Sequence, residues 1–184
     1  MARIEMTYRR TPGIRVIEWL TRRKFGKVLD PVKVAMHNRR VLVTSLAIEG
    51  TAARWNSLAP DLKALAVMVA SARIGCSWCM DFGYWEFHHQ GIDPAKLHDV
   101  PRWRDSDVYT DLERAVMEYT EAMTATPPEV TDEQVERLRQ DLSDEQFVEL
   151  TAWVALENFR SRVNAATGLT SQGFKEYCEL RPVR

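Results

Sequence analysis

Three short stretches, Thr110-Asp111-Leu112-Glu113, Thr131-Asp132-Glu133-Gln134 and Ser143-Asp144-Glu145-Gln146, each place a hydroxyl three residues before a Glu or Gln. At that spacing the hydroxyl accepts an N–H from the first helical turn and the later side chain returns to the hydroxyl residue's own N–H, so the pattern opens helices. Leu112, Val116, Tyr119 and Met123 follow the first at helical spacing until Pro127-Pro128 stops the run. Val135, Leu138 and Leu142 form a short stripe after the second, and the third opens a longer helix over roughly 144–167 with Gly168 as its left-handed cap. Strand signals are nearly absent: Val41-Leu42-Val43-Thr44 is embedded in helical spacing, and no Asn-Gly or Asp-Gly turn occurs. The expected fold class is all-α, a single-domain helical bundle.

Upstream, Pro60 starts a helix whose body, Leu62 to Ile74, is apolar nearly all round apart from Lys63, Ser71 and Arg73. Such a helix belongs in the middle of a core or at an oligomer interface. Gly75 ends it, and the next helix is expected from about Cys76 to Gln90, with Gly91 as its stop. Amphipathic segments precede these at Ile14–Phe25 and Arg39–Trp55, and Arg22-Arg23-Lys24 reads as a solvated face. The stretch Pro101–Asp107, with Trp103 among charges, reads as a long connecting loop. Residues 1–30 are expected to be an N-terminal helical extension and 31–184 the main domain.

Charge excludes some partners. With 28% charged residues and a formal net charge of -1, the near-neutral balance gives no reason to expect nucleic acid as a partner, since its binders usually carry a strongly basic face. No apolar run approaches the ~18 residues of a membrane span. Met1 to Met6 lacks the apolar core of a secretory signal, and three cysteines are too few for a secreted disulfide framework. A cytoplasmic protein is expected.

Chemistry centres on Cys76 and Cys79, a C-x-x-C pair at a helix start. An unperturbed thiol is only ~3% ionised at neutral pH, but a helix N-terminus favours the thiolate. Trp78, between the two, can shield them from water. A zinc site needs further ligands; His88 and His89 point about 100° apart and lie about 14 Å down the helix, so no metal is expected. Cys178 has no partner at useful spacing. On the last helix Glu157, Arg160, Ser161 and Asn164 share one face and Asn158 and Arg162 another, as a structural network or as a wall of the thiol pocket.

Ile74-Gly75-Cys76-x-x-Cys79 with Gly91, the apolar helix before it, and the stretch from Glu157 to Asn164 followed by Gly168-Leu169 and Ser171-Gln172-Gly173-Phe174 resemble the carboxymuconolactone decarboxylase / alkylhydroperoxidase D-like family from about Pro31 to Phe174. The resemblance implies an all-helical fold, homo-oligomers (trimers or multiples of them), no cofactor, and either peroxide reduction or cofactor-free lactone decarboxylation. It also implies that Cys79 attacks a small-molecule peroxide or disulfide and Cys76 resolves it, with electrons from a thiol reductant. The family's peroxidases use a glutamate twelve residues before the first cysteine and a histidine four after the second as a proton relay; here those positions hold Ala64 and Gly83. Glu86, Asp81 and Glu49 are the candidate stand-ins. Asp81 is expected to face away from the Cys79 sulfur and Glu86 to lie about 10 Å down the same face. Gly83 is expected to open a small pocket below Cys79, with His88 nearby as a possible wall. The remaining readings are a lactone decarboxylase or isomerase with incidental thiols and a helical oligomer without catalysis.

Overall fold

The computed structural model describes residues 2–176, and among them there is no strand. The Cys178 thiol lies outside the described residues. The chain divides into two compact units, residues 2–55 with 166–169, and residues 56–165 with 170–176.

The first unit holds α1 (Pro12–Phe25), α2 (Asp30–Ala35) and α3 (Arg39–Ala52). Thr11 caps α1 by accepting the Ile14 N–H at 3.3 Å, and Gly26, at φ 74°, ends it. The amphipathic segments read from sequence coincide with α1 and α3. Arg22, Arg23 and Lys24 are exposed, as a solvated face requires. Glu18 is buried and accepts the Tyr8 hydroxyl at 2.6 Å and Arg10 Nε at 3.2 Å. Those bonds hold its carboxyl below the usual range, while burial and the same carboxylate push the Tyr8 hydroxyl up to about 12.

The second unit holds α4 (Pro60–Ile74), α5 (Ser77–His89), α6 (Pro94–Asp99), a 3₁₀ turn (Val100–Asp105), α7 (Asp111–Thr124), α8 (Asp132–Arg139) and α9 (Asp144–Ala166). Every residue of α4 from Ala64 to Ser71 is buried. The helix is apolar on all sides because α5, α7 and the 3₁₀ turn surround it. Leu62 and Ala66 of α4, Val116 and Tyr119 of α7, Leu138 of α8, and Leu150 and Val154 of α9 form one core cluster. All three expected capping boxes are present: Thr110 with Glu113, Thr131 with Gln134, and Ser143 with Gln146.

One expectation differs. Pro101–Asp107 is largely a 3₁₀ turn, not an open loop. Asp99 accepts the Ser106 hydroxyl at 2.7 Å and Arg102 Nη2 at 2.9 Å, and these bonds hold its carboxyl well below the usual range. Trp103 is buried beneath, donating to Glu121 at 3.0 Å. Among the described residues no helix is long and apolar enough to cross a membrane.

Candidate active site

Gly75, at φ 80°, ends α4 in the left-handed region that only glycine adopts without strain. The resulting turn directs the N–H groups of Gly75 and Cys76 onto the Ser71 carbonyl, each at 3.0 Å. Cys76 then caps α5, its sulfur accepting the Cys79 N–H at 3.2 Å. Cys79 is the third helical residue, so both sulfurs lie within the positive end of α5. The two are joined as a disulfide, with Cα atoms 5.3 Å apart. Both are buried, Cys76 at 1% exposure and Cys79 at 6%.

The sulfur of Cys79 is not surrounded by hydrocarbon alone. Asn164 of α9 donates to it from Nδ2 at 3.3 Å. On the same face of α9, Glu157 Oε1 accepts the hydroxyls of Ser161 at 2.6 Å and of Ser71 in α4 at 2.9 Å. Arg160 Nη1 lies 3.4 Å from Glu157 Oε2. Burial raises the Glu157 pKa, outweighing the opposing pull of Arg160 and the two hydroxyls. One face of the last helix therefore reaches the thiol pair.

The other face does not. Asn158 donates to the Thr124 hydroxyl at 2.9 Å, and Arg162 Nη2 donates to the Thr124 carbonyl at 3.0 Å and the Thr126 hydroxyl at 3.1 Å. These two residues close the C-terminal end of α7, where carbonyls lack helical partners.

The remaining candidates separate as follows. Asp81 is buried, and its carboxylate accepts three backbone N–H groups, from Gln172 at 2.7 Å, Phe174 at 3.0 Å and Lys175 at 2.7 Å. It fastens the segment after α9 to α5. Trp78 is buried on that same side, donating to Gln172 Oε1 at 3.1 Å and stacking on Phe82 at 5.0 Å. The space opened by Gly83 is not a pocket: a Cβ there would lie 2.7 Å from Met68 Sδ, so the thioether of α4 fills it. Glu86 is half-buried on α5, and His88, also half-buried, stacks on Tyr84 at 6.1 Å. Glu49 is exposed on α3 in the first unit. Among the described residues no group of three or more His, Cys, Asp or Glu is arranged to hold a metal ion.

A cleft of about 580 Å³ is bordered by Gly75 and Ser77, the chain neighbours of Cys76, with Met68, Met80, Tyr84 and Lys175 among its walls; neither cysteine lines it. The Lys175 ammonium stands 4.9 Å over the Tyr84 ring. The residues missed from sequence are Ser71 and its pairing with Glu157. The available signal was a hydroxyl inside an otherwise apolar helix.

The carboxymuconolactone decarboxylase family model matches residues 44–122, which contain the cysteine pair. The uncharacterized protein YnjA of Escherichia coli K12 is 31% identical over 168 residues, covering 89% of this chain and 90% of that protein. The crystal structure of an uncharacterized peroxidase-related protein from Silicibacter sp. TM1040 superposes with a TM-score of 0.83 over 95% of this chain and 94% of that one, at 17% identity. ATU0492 of Agrobacterium tumefaciens, a protein of unknown function named for AhpD-type antioxidant defence, superposes with a TM-score of 0.70 over 82% of this chain and 97% of that one, at 25% identity. The family model that spans the cysteine pair at the head of α5, together with 31% identity to YnjA over nearly the whole of both chains, places the chain in the carboxymuconolactone decarboxylase family.

Proposed function

We propose that this protein is a thiol-dependent oxidoreductase that reduces a peroxide or a disulfide through Cys79 and Cys76. The observation that carries the reading is the bonded sulfur pair at the positive end of α5, with the Asn164 amide directed at Cys79. In the reduced protein that field favours thiolate. The Cys79 thiolate attacks a hydroperoxide oxygen; the S–O bond forms as the O–O bond breaks, and the alkoxide leaves and takes up a proton. Cys76, as thiolate, attacks the sulfenic sulfur; the S–S bond forms and hydroxide leaves, to be protonated to water. The peroxide has gained two electrons and the cysteines have lost two. An external dithiol returns them by thiol–disulfide exchange and departs as its own disulfide. Substrate reaches the pair from the cleft beside Gly75 and Ser77. The scheme needs no metal or organic cofactor, and a reducing cytoplasm would supply the dithiol.

Self-association belongs to this reading. Val148, Phe159 and Val163 lie within about 60° of one another on α9 and are all exposed, an apolar stripe suited to a second copy of the chain.

Peroxide consumption with a dithiol donor tests the proposal. Cys79→Ser is expected to abolish it, and Cys76→Ser to stall at a sulfenic acid that a dimedone-type reagent labels. Equal consumption by Cys79→Ser and the parent would reject the reading; retained action on a lactone acid by the double serine variant would favour decarboxylation instead.

A further inference from the structure

Behind the sulfur pair lies a polar set that the thiol scheme leaves unused. Glu157 is buried at 3% exposure, with Ser71 and Ser161 on one carboxyl oxygen and Arg160 beside the other. Both ends of the set terminate on the C-x-x-C motif. Through Ser71 it meets the turn that carries Cys76, since the Ser71 carbonyl receives the Cys76 N–H. Through α9 it meets Cys79, since Asn164, two turns beyond Glu157, donates to that sulfur. A carboxyl placed here is costly to ionise, and hydrogen bonding to two hydroxyls would be served as well by an amide.

We propose that Glu157 is the proton partner of Cys79: in the reduced protein the carboxyl and the sulfur share one negative charge. The proton that leaves Cys79 on thiolate formation is held by Glu157 and is returned to the departing alkoxide. No bond to Glu157 other than O–H forms or breaks, and no electrons move. Glu157 acts across the face of α9 that it shares with Asn164 and is therefore a positioning residue. The charged group facing it from its own helix is Arg160. From α4 it meets Ser71, while Lys63 of α4 pairs with Glu149 at 3.3 Å. From α5 the titrating neighbour is Cys79 itself. Ala64 and Gly83 bring no titratable side chain. The raised Glu157 pKa fits a carboxyl that takes up and holds a proton.

The proposal rests on the thiol reading but can be tested apart from it. With Cys76→Ser and Cys178→Ser as background, Cys79 is the sole thiol, and its thiolate is titrated by ultraviolet absorbance. Two unit charges about 10 Å apart in a protein interior shift each other's midpoint by about one pH unit. Glu157→Gln, which removes the charge and keeps the hydrogen bonds, is therefore expected to lower the Cys79 midpoint by about one unit. Glu157→Met, a second neutral side chain of similar length, is expected to do the same. In the otherwise native protein Glu157→Gln is expected to reduce peroxide turnover about a hundredfold despite the more acidic thiol, and Glu157→Asp to restore part of it. A carboxyl that stays protonated throughout the titration, serving only as a hydrogen-bonded strut, would move neither midpoint downward, and an unchanged midpoint in both neutral variants overturns the proposal. A parent without peroxide turnover would reject the proposed function and leave the thiolate titration to decide the pairing.

Discussion

Asn164 Nδ2 stands 3.3 Å from Cys79 Sγ, bridging 85 residues of sequence. Hydrogen bonds to a charged acceptor stabilise it by about 1.5–3 kcal/mol, and a sulfur bonded in this way is a better thiolate than thiol. Asn164→Ala in the reduced protein is expected to raise the Cys79 midpoint by about one unit or more. Asn164→Asp, which sets a carboxylate beside the sulfur, is expected to raise it further. Thiolate absorbance against pH checks both; a midpoint equal to the parent's in Asn164→Ala would show that the contact has no electrostatic consequence.

Stability should depend on pH through Glu157. Its carboxyl pKa is raised in the folded state by burial, so the native state holds this proton more tightly than the unfolded chain does. The folded state is favoured below the ordinary value of 4.5, and that advantage is lost as pH rises through the folded pKa. Glu157→Gln carries no such dependence. Relative to the parent it is expected to gain stability as pH rises above 4.5. Urea midpoints of the two proteins at acid and neutral pH measure this, and a gap that stays constant with pH contradicts it.

Asp81→Ala leaves three backbone donors, at Gln172, Phe174 and Lys175, without their acceptor. Each buried donor left unmade costs about 1–3 kcal/mol, with incomplete additivity. A loss of about 3 kcal/mol in urea unfolding is expected. Faster amide exchange at those three N–H groups should accompany it, and unchanged exchange there would refute the assignment.

At Gly83 two effects compete. Alanine gains about 1 kcal/mol of helix propensity, but its Cβ would sit 2.7 Å from Met68 Sδ. Overpacking of this kind costs about 1–3 kcal/mol, so Gly83→Ala alone is expected to destabilise by about 1 kcal/mol. In a Met68→Ala background the same change should stabilise. Additive behaviour in the double-mutant cycle would show that the two do not touch.

Phe159→Glu breaks the exposed apolar stripe of α9 without entering the core. If that stripe is where copies meet, light scattering will show a lower molar mass for the variant while helical content stays the same.

The helix boundaries were legible because their signals are local. The hydroxyl and carboxamide of Thr131 and Gln134, or the left-handed Gly75, do their work within four residues. The cysteine pair was legible for the same reason. The shared face of Glu157, Ser161 and Asn164 followed from helical spacing, but its partners did not: Ser71 lies 86 residues away from Glu157. No periodicity reports which helix a face meets. Asp81 illustrates the same limit, since its spacing from Cys79 directs it off the sulfur without revealing the backbone of Gln172–Lys175 as its destination. Val100–Asp105 was obscured by a proline and alternating charges that hide a 3₁₀ turn organised around Trp103.

The grip of Asp81 on residues 172, 174 and 175 makes the cysteine-bearing helix and the chain's closing stretch a single mechanical piece. A truncation upstream of Gln172 would strip Asp81 of its three backbone donors on the same helix that carries Cys79. Trimming the C-terminus of this protein is therefore also a change to the helix that holds its cysteine pair.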